Sequence, residues 1–139
     1  MTAPFFEDIN IGDEMPGLSK TVDEIQLVKY AGASGDFNPL HYVDAVGKKA
    51  GLGGVIAHGM LIMGFVGQAI TDWLPNRYLK RFKVRFVKPT KPGDIITITG
   101  KVTAKKEHNL IAGEVQACDQ NGQVKVTGLF EAVLPSKNC

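Results

Sequence analysis

Gly59-Met60-Leu61-Ile62-Met63-Gly64-Phe65-Val66-Gly67-Gln68-Ala69-Ile70 is the stretch on which the fold turns. Gln68 is its one polar side chain. A surface helix keeps its apolar residues on one stripe, whereas a helix that is apolar on every side is buried. The run is too short to span a bilayer, which takes about 20 apolar residues. The pattern therefore predicts one buried helix from about Gly59 to Trp73, stopped by Leu74-Pro75-Asn76.

Beyond that helix the period changes to two. Phe82, Val84 and Phe86 alternate with Lys83, Arg85 and then Lys88. After a turn at Pro92-Gly93-Asp94, the β-favouring residues Ile95 to Thr99, Val102 to Lys106, Leu110 to Cys118 and Val124 to Leu134 read as further strands. Asn121-Gly122 is a hairpin turn. At least four antiparallel strands and one buried helix pack most simply as a sheet curled around the helix. The expected class is α+β, in a single domain over 1–139.

Toward the N-terminus, Gly12 to Thr21 reads as a short strand after a Gly12-Asp13 turn. Thr21-Val22-Asp23-Glu24 reads as a capping box with Thr21 at the N-cap. The helix it opens is expected to run to about Ala33, with Ile25, Leu27 and Val28 on its apolar side, and to end at Gly32, Ser34 and Gly35. Asp44 is expected to cap a short helix through Ala50, followed by a turn at Gly51-Leu52-Gly53-Gly54.

Between these helices lies the segment richest in chemistry, Gly35-Asp36-Phe37-Asn38-Pro39-Leu40-His41-Tyr42. Proline fixes its own φ and pushes the preceding residue out of helical geometry, so the segment bends and can bring Asp36 and His41 to one point. A buried carboxylate beside a histidine can hold a water molecule and move its protons. Asn38 is expected to brace the loop. Gly59 opens the buried helix, where unpaired N–H groups and the positive dipole end suit a developing negative charge. Such a donor is typically worth about 3 kcal/mol of barrier. A glycine there lets a ligand approach the backbone.

The bland readings stand beside these. A bare Asp-to-His spacing also fits a hydrogen-bonded loop. His58 reads as satisfying a backbone group at the helix start, and Ser34 as a turn residue. Gly64 and Gly67 make room either for a ligand or for strand packing. His41, His58 and His108 lack metal-ligand spacing, so no metal is expected. Arg77, Lys80, Arg81, Lys83, Arg85, Lys88 and Lys91 read first as a solvated strand face.

The chain has 139 residues, 44% hydrophobic and 22% charged, which is ordinary for a soluble globular protein. A net charge of +2 implies no nucleic-acid partner. Cys118 and Cys139 suggest a strand thiol and a chain-end thiol rather than a disulfide, so a reducing compartment is expected. Residues 1–8 lack a basic region followed by an apolar run, so no signal peptide and no membrane association are expected; the simplest localisation is cytoplasmic.

The stretch Tyr30-Ala31-Gly32-Ala33-Ser34-Gly35-Asp36-Phe37-Asn38-Pro39-Leu40-His41 resembles the hydratase-2 motif of the MaoC-like dehydratases. Ala57-His58-Gly59-Met60-Leu61 resembles that family's second signature, and Arg85-Phe86 to Pro92-Gly93-Asp94 its later strand-turn segment. Ile56 to Leu61 is also similar to the hydratase subunits of mycobacterial-type fatty acid synthesis. The resemblance implies a hotdog fold, a long central helix wrapped by an antiparallel sheet, in a homodimer. It implies (R)-specific hydration of trans-2-enoyl thioesters, or the reverse dehydration. Asp36 and His41 would be catalytic, the Gly59 N–H would form the oxyanion hole, and Asn38 would brace the loop.

The substrate handle would be CoA or acyl carrier protein, some of the basic residues could meet its phosphates, and no metal or redox cofactor would be needed. One departure is visible. The family often has an Asp two positions after the histidine, where this chain has Val43, with Asp44 next to it. Two rival functions share the fold. A thioesterase needs a water-activating group on the central helix, where only Gln68 is polar. A non-catalytic acyl-thioester-binding subunit would be marked by loss of Asp36 or His41, and both are present.

Overall fold

The computed structural model describes residues 4–138; Cys139, the expected chain-end thiol, lies outside them. In chain order the elements are β1 (Leu18–Thr21), α1 (Glu24–Ser34), α2 (Asp44–Lys49), α3 (Gly59–Trp73), β2 (Leu79–Phe86), β3 (Ile95–Lys106), β4 (Leu110–Cys118) and β5 (Val124–Val133). All strand pairings are antiparallel, in one sheet of order β1-β3-β4-β5-β2. No helix of the described residues is long and apolar enough to cross a membrane.

The sheet turns one face to α3. Ile96, Ile98 and Val102 of β3, Ile111, Val115 and Ala117 of β4, and Val126, Phe130 and Ala132 of β5 are buried in one core with Leu61, Ile62, Phe65, Val66, Ala69 and Ile70 of α3. Each of the Val, Leu, Ile and Phe side chains contributes about 1.5–3 kcal/mol by leaving water. Register shifts at Val102/Ala104 and Ala117/Cys118 bend the strands around the helix. The expected α+β class and the wrapped central helix are what is found.

Several local expectations are corrected. The strands at Ile95–Thr99 and Val102–Lys106 are one strand, β3, because Gly100 allows a close approach. A Cβ there would stand 2.8 Å from the Glu114 carbonyl oxygen on β4. The cap of α1 is Asp23, whose carboxylate accepts the Gln26 N–H at 2.7 Å; Thr21 ends β1 instead. Ile25 and Val28 are exposed, and Leu27 alone of the three faces the core. Gly35 closes α1 in the left-handed conformation, at φ 76°.

The central helix is also less enclosed than its composition predicts. Met60 is 58% exposed, and Gly64 and Gln68, one turn apart along the same stripe, are exposed with it. A single sheet covers one side of a helix, so the opposite stripe needs another partner. Gly67 packs close to the Phe82 ring, 3.4 Å from where its Cβ would stand, whereas Gly64 faces open space. Cys118 lies at the end of β4; burial, and then the neighbouring Asp119 carboxylate, push its thiol pKa up.

Candidate active site

Pro39 sets the geometry of the motif loop. Asn38 is extended before it (ψ 123°), and Pro39–His41 form a single 3₁₀ turn. The Asn38 side chain accepts the Leu40 N–H at 3.1 Å, and the Asn38 backbone N–H donates to Asp36 Oδ1 at 3.2 Å. Ser34 Oγ accepts the Asp36 N–H at 3.1 Å, a turn role. These are the local bonds that Asn and Ser side chains offer the backbone where helix and sheet bonds are absent.

The loop is stapled to the segment leading into α3. Ile56 N–H donates to the Leu40 carbonyl at 3.0 Å, and His41 Nδ1 bonds the Ile56 carbonyl at 2.8 Å. A carbonyl only accepts, so Nδ1 carries the proton, and the lone pair of a neutral ring sits on Nε2. That Nε2 stands 3.8 Å from Asp36 Oδ2. Asp36 and His41 thus meet, as the bent segment predicts. The Asp36 side chain is 52% exposed, however, not buried as expected, because its loop lies on the surface of the chain.

His58 joins them. It is 1% exposed and its ring stacks on that of His41, centroids 3.8 Å apart. Its Nε2 bonds the Asp36 carbonyl at 3.1 Å, so it does satisfy a backbone group, but one on the motif loop rather than at the helix start. The signal in the sequence was its place one residue before Gly59. His58 Nδ1 has no hydrogen-bond partner among the described residues.

One donor atom from each of Asp36, His41 and His58 falls within 4.8 Å of the others, so two of the histidines do meet despite their sequence spacing. The donor set fits a metal poorly. A ligated ion lies in the plane of each imidazole, about 2.0–2.1 Å from its nitrogen, and planes only 23° from parallel do not converge so close to the rings. His41 Nδ1 and His58 Nε2 are moreover engaged with carbonyls.

His41 and Gly59 face one cavity of about 370 Å³, lined also by Ile56, Ala57, Ile62 and Phe86, by Val87, Lys88, Pro89 and Thr90, and by Val126. Among the described residues no acceptor receives the Gly59 N–H. His58, the N-cap residue, is extended and offers no side-chain cap. The space beside the Gly59 Cα is not left to a ligand, as expected, but is filled by the Phe86 ring, 3.1 Å from where a Cβ would stand. Asp44 does not cap α2; it is the first residue of that helix, and its Oδ1 accepts the Val55 N–H at 3.0 Å. It therefore ties α2 to the strand-like segment that carries Ile56 and His58. Of the basic residues, Lys88 lines the cavity and the Lys91 ammonium lies over Gly53; Lys83 and Arg85 lie with Lys101 around a separate concavity on the sheet.

This chain is 29% identical over 136 residues to an (R)-specific enoyl-CoA hydratase of Rhodospirillum rubrum, covering 96% of this chain and 93% of that protein. It is 32% identical over 122 residues to one of Aeromonas caviae, covering 85% of this chain and 90% of that protein. Among solved structures it superposes on the R-hydratase PhaJ1 of Pseudomonas aeruginosa with a TM-score of 0.85 at 27% identity, covering 95% and 86% of the two chains. On a chain of the ChsH1–ChsH2 complex of Mycobacterium tuberculosis the TM-score is 0.81 at 25% identity, covering 90% and 98%. Residues 9–121 match the model of the MaoC like domain. With the sheet wrapped on α3 and the motif loop beside its first turn, the chain belongs to the MaoC-like dehydratase family and has its hotdog fold.

Proposed function

We propose that this chain catalyses the (R)-specific hydration of trans-2-enoyl thioesters to 3-hydroxyacyl thioesters, and the reverse dehydration, in fatty acid metabolism. The observation that carries the reading is the placement of His41 Nε2 3.8 Å from Asp36 Oδ2, with His41 and Gly59 lining one cavity. That separation is too long for a direct hydrogen bond and leaves room for one water held by both groups. The names of the relatives support the stereochemistry and the CoA thioester.

The chemistry follows from the substrate. The thioester carbonyl withdraws electrons from the double bond, so C3 is electrophilic. Water held by Asp36 and His41 forms a bond to C3 as the pair takes its proton, and the π electrons move toward the carbonyl oxygen. The Gly59 N–H stabilises that charge, helped by the positive end of α3. A proton then returns to C2. Asn38 keeps Asp36 in place through the loop bonds. The reaction proceeds without metal or redox cofactor; CoA or acyl carrier protein is the substrate's handle, with Lys88 and Lys91 nearest to meet its phosphates.

The active form in this reading is a homodimer in the cytoplasm. β2 lies at an edge of the sheet, and the Met60-Gly64-Gln68 stripe of α3 lacks cover from the described residues, a pairing of open edge and exposed helix stripe that suits a second copy. The mycobacterial neighbour is a two-protein complex, so a monomer active only with a second protein is the outcome that would replace the homodimer.

The test uses crotonyl-CoA and follows loss of enoyl absorbance. Asp36→Asn and His41→Gln are each expected to lower kcat by about 10²–10⁴-fold with circular dichroism unchanged. Near-normal rates in both variants would remove the dyad from the chemistry.

A further inference from the structure

Val87, Lys88, Pro89 and Thr90, in the connection from β2 to β3, form one wall of the cavity that holds His41 and Gly59. Nothing in a sheet ladder secures this wall. The β2–β5 pairing ends at Phe86, opposite Val126, and Pro89 and Pro92 have no N–H to donate. One residue supplies the missing bonds. The Lys125 carbonyl accepts the N–H groups of Val87 at 2.8 Å and Lys88 at 3.3 Å, and its ammonium donates to the Pro89 carbonyl at 2.9 Å.

The Lys125 side chain is 8% exposed. A buried ammonium is costly unless it is paired and hydrogen-bonded, and here both conditions hold. It donates to Gln123 Oε1 at 3.1 Å and faces Asp119 Oδ2 at 3.6 Å and Asp94 Oδ2 at 4.0 Å. Asp94 holds the far end of the same connection by accepting the Lys91 N–H at 2.9 Å. The wall then passes its position on: the Thr90 carbonyl accepts the Ala57 N–H at 2.7 Å, two residues before Gly59.

We propose that Lys125 is a positioning residue for the substrate cavity: its ammonium fixes the Pro89–Thr90 wall and, through Ala57, the seat of the thioester beside Gly59. The inference rests on the hydratase reading above. It concerns a residue that never touches the reacting atoms, so removing its ammonium weakens substrate binding more than it slows chemistry.

Lys125→Met keeps the stem but leaves the Asp119 carboxylate without its cation. The informative variant is therefore Lys125→Met with Asp119→Asn, since the Asn oxygen can still accept the Asn121 and Gln123 N–H groups that Asp119 holds at 2.9 Å. With crotonyl-CoA at 25 °C, KM in the double variant is expected to rise about tenfold with kcat within about threefold. Asp119→Asn alone and Lys125→Arg should stay within about threefold of wild type in KM. Hydrogen exchange at the Ala57 amide should speed up in the double variant and not in the two controls. A folded double variant with wild-type KM and wild-type exchange at Ala57 would overturn the proposal. A wild-type chain inert toward crotonyl-CoA would sink the hydratase reading alone, because the exchange measurement needs no turnover.

Discussion

The imidazole of His41 lies on that of His58, ring centroids 3.8 Å apart and planes 23° from parallel, and the two rings have different tasks. His41 is turned by the Ile56 carbonyl so that its free nitrogen faces Asp36. His58, packed edge-on against Tyr30 at 4.8 Å, holds the Asp36 backbone through its Nε2–H. One ring serves the proposed proton transfer and the other fixes the loop that supplies the carboxylate.

His58→Phe separates stacking from hydrogen bonding. It keeps an aromatic ring against His41 and Tyr30 but leaves the Asp36 carbonyl without its donor. Stability should fall by about 1 kcal/mol, the net worth of one such bond, read from the urea midpoint. Hydration of crotonyl-CoA should fall about tenfold or more in kcat, because a displacement of about 1 Å at a reacting group can cost up to about a hundredfold. Unchanged kcat in the folded variant would leave His58 a packing residue.

Gly59 offers a test of a single amide. It is the first residue of α3, and His58 before it is extended at φ −61°, ψ 131°, the geometry proline favours in its predecessor. Gly59→Pro therefore deletes the N–H while keeping the helix start. Gly59→Ala is the control, since both variants press a Cβ toward the Phe86 ring. Proline should have a kcat about 10²–10³-fold below alanine, the usual loss for one oxyanion donor. Equal rates in the two would take the Gly59 amide out of the mechanism.

Acid stability should depend on Asp119. The Gln123 N–H, then the Asn121 N–H and the Lys125 charge, hold its carboxyl below the ordinary value of 3.8, against the opposing effect of burial. A depressed folded pKa gives stability that is complete above the unfolded value and lost as pH falls through the folded one. Wild type should therefore exceed Asp119→Asn in urea midpoint at pH 7, and the gap should close as the pH falls below about 4. A gap that persists unchanged on acidification would show that the charge contributes nothing.

Gly113 should accept no side chain. A Cβ there would stand 2.3 Å from the ring of Phe130, which is fully buried and packed edge-on against Trp73, and 2.7 Å from the Lys101 carbonyl of β3. A fully buried ring and a paired strand carbonyl both shift only at a cost. Gly113→Ala should destabilise by about 1–3 kcal/mol or more, as overpacked cores do, measured by thermal or urea unfolding. Wild-type stability would mean that β3 and β4 part more easily than their pairing implies.

Much of the fold was legible because it depends on periodicity. The bounds of α3 follow from the unbroken apolar run and the Leu74-Pro75 stop, and those of β4 from alternation between two turns. Thr21 reads locally as a cap because a capping box is a local pattern, whereas strand pairing with Ile95 claims that residue for β1. The capping reading of Asp44 fails for the same reason; the donor that claims its carboxylate, the Val55 N–H, lies eleven residues along the chain.

The site divides along the same line. Asp36, His41, Asn38 and Gly59 could be named from a proline-bent motif and a helix start, because φ restriction and helix termini act within a few residues. The stack of His41 on His58, the staples at Ile56 and Asp36, and the Lys125 clamp on Pro89 join groups 15 to 36 positions apart. Local sequence fixed which groups are present and how the chain bends at each of them. Their distances and the identity of the cavity wall were decided only when the sheet closed on α3, because the packed core, not neighbouring residues, determines where remote segments meet.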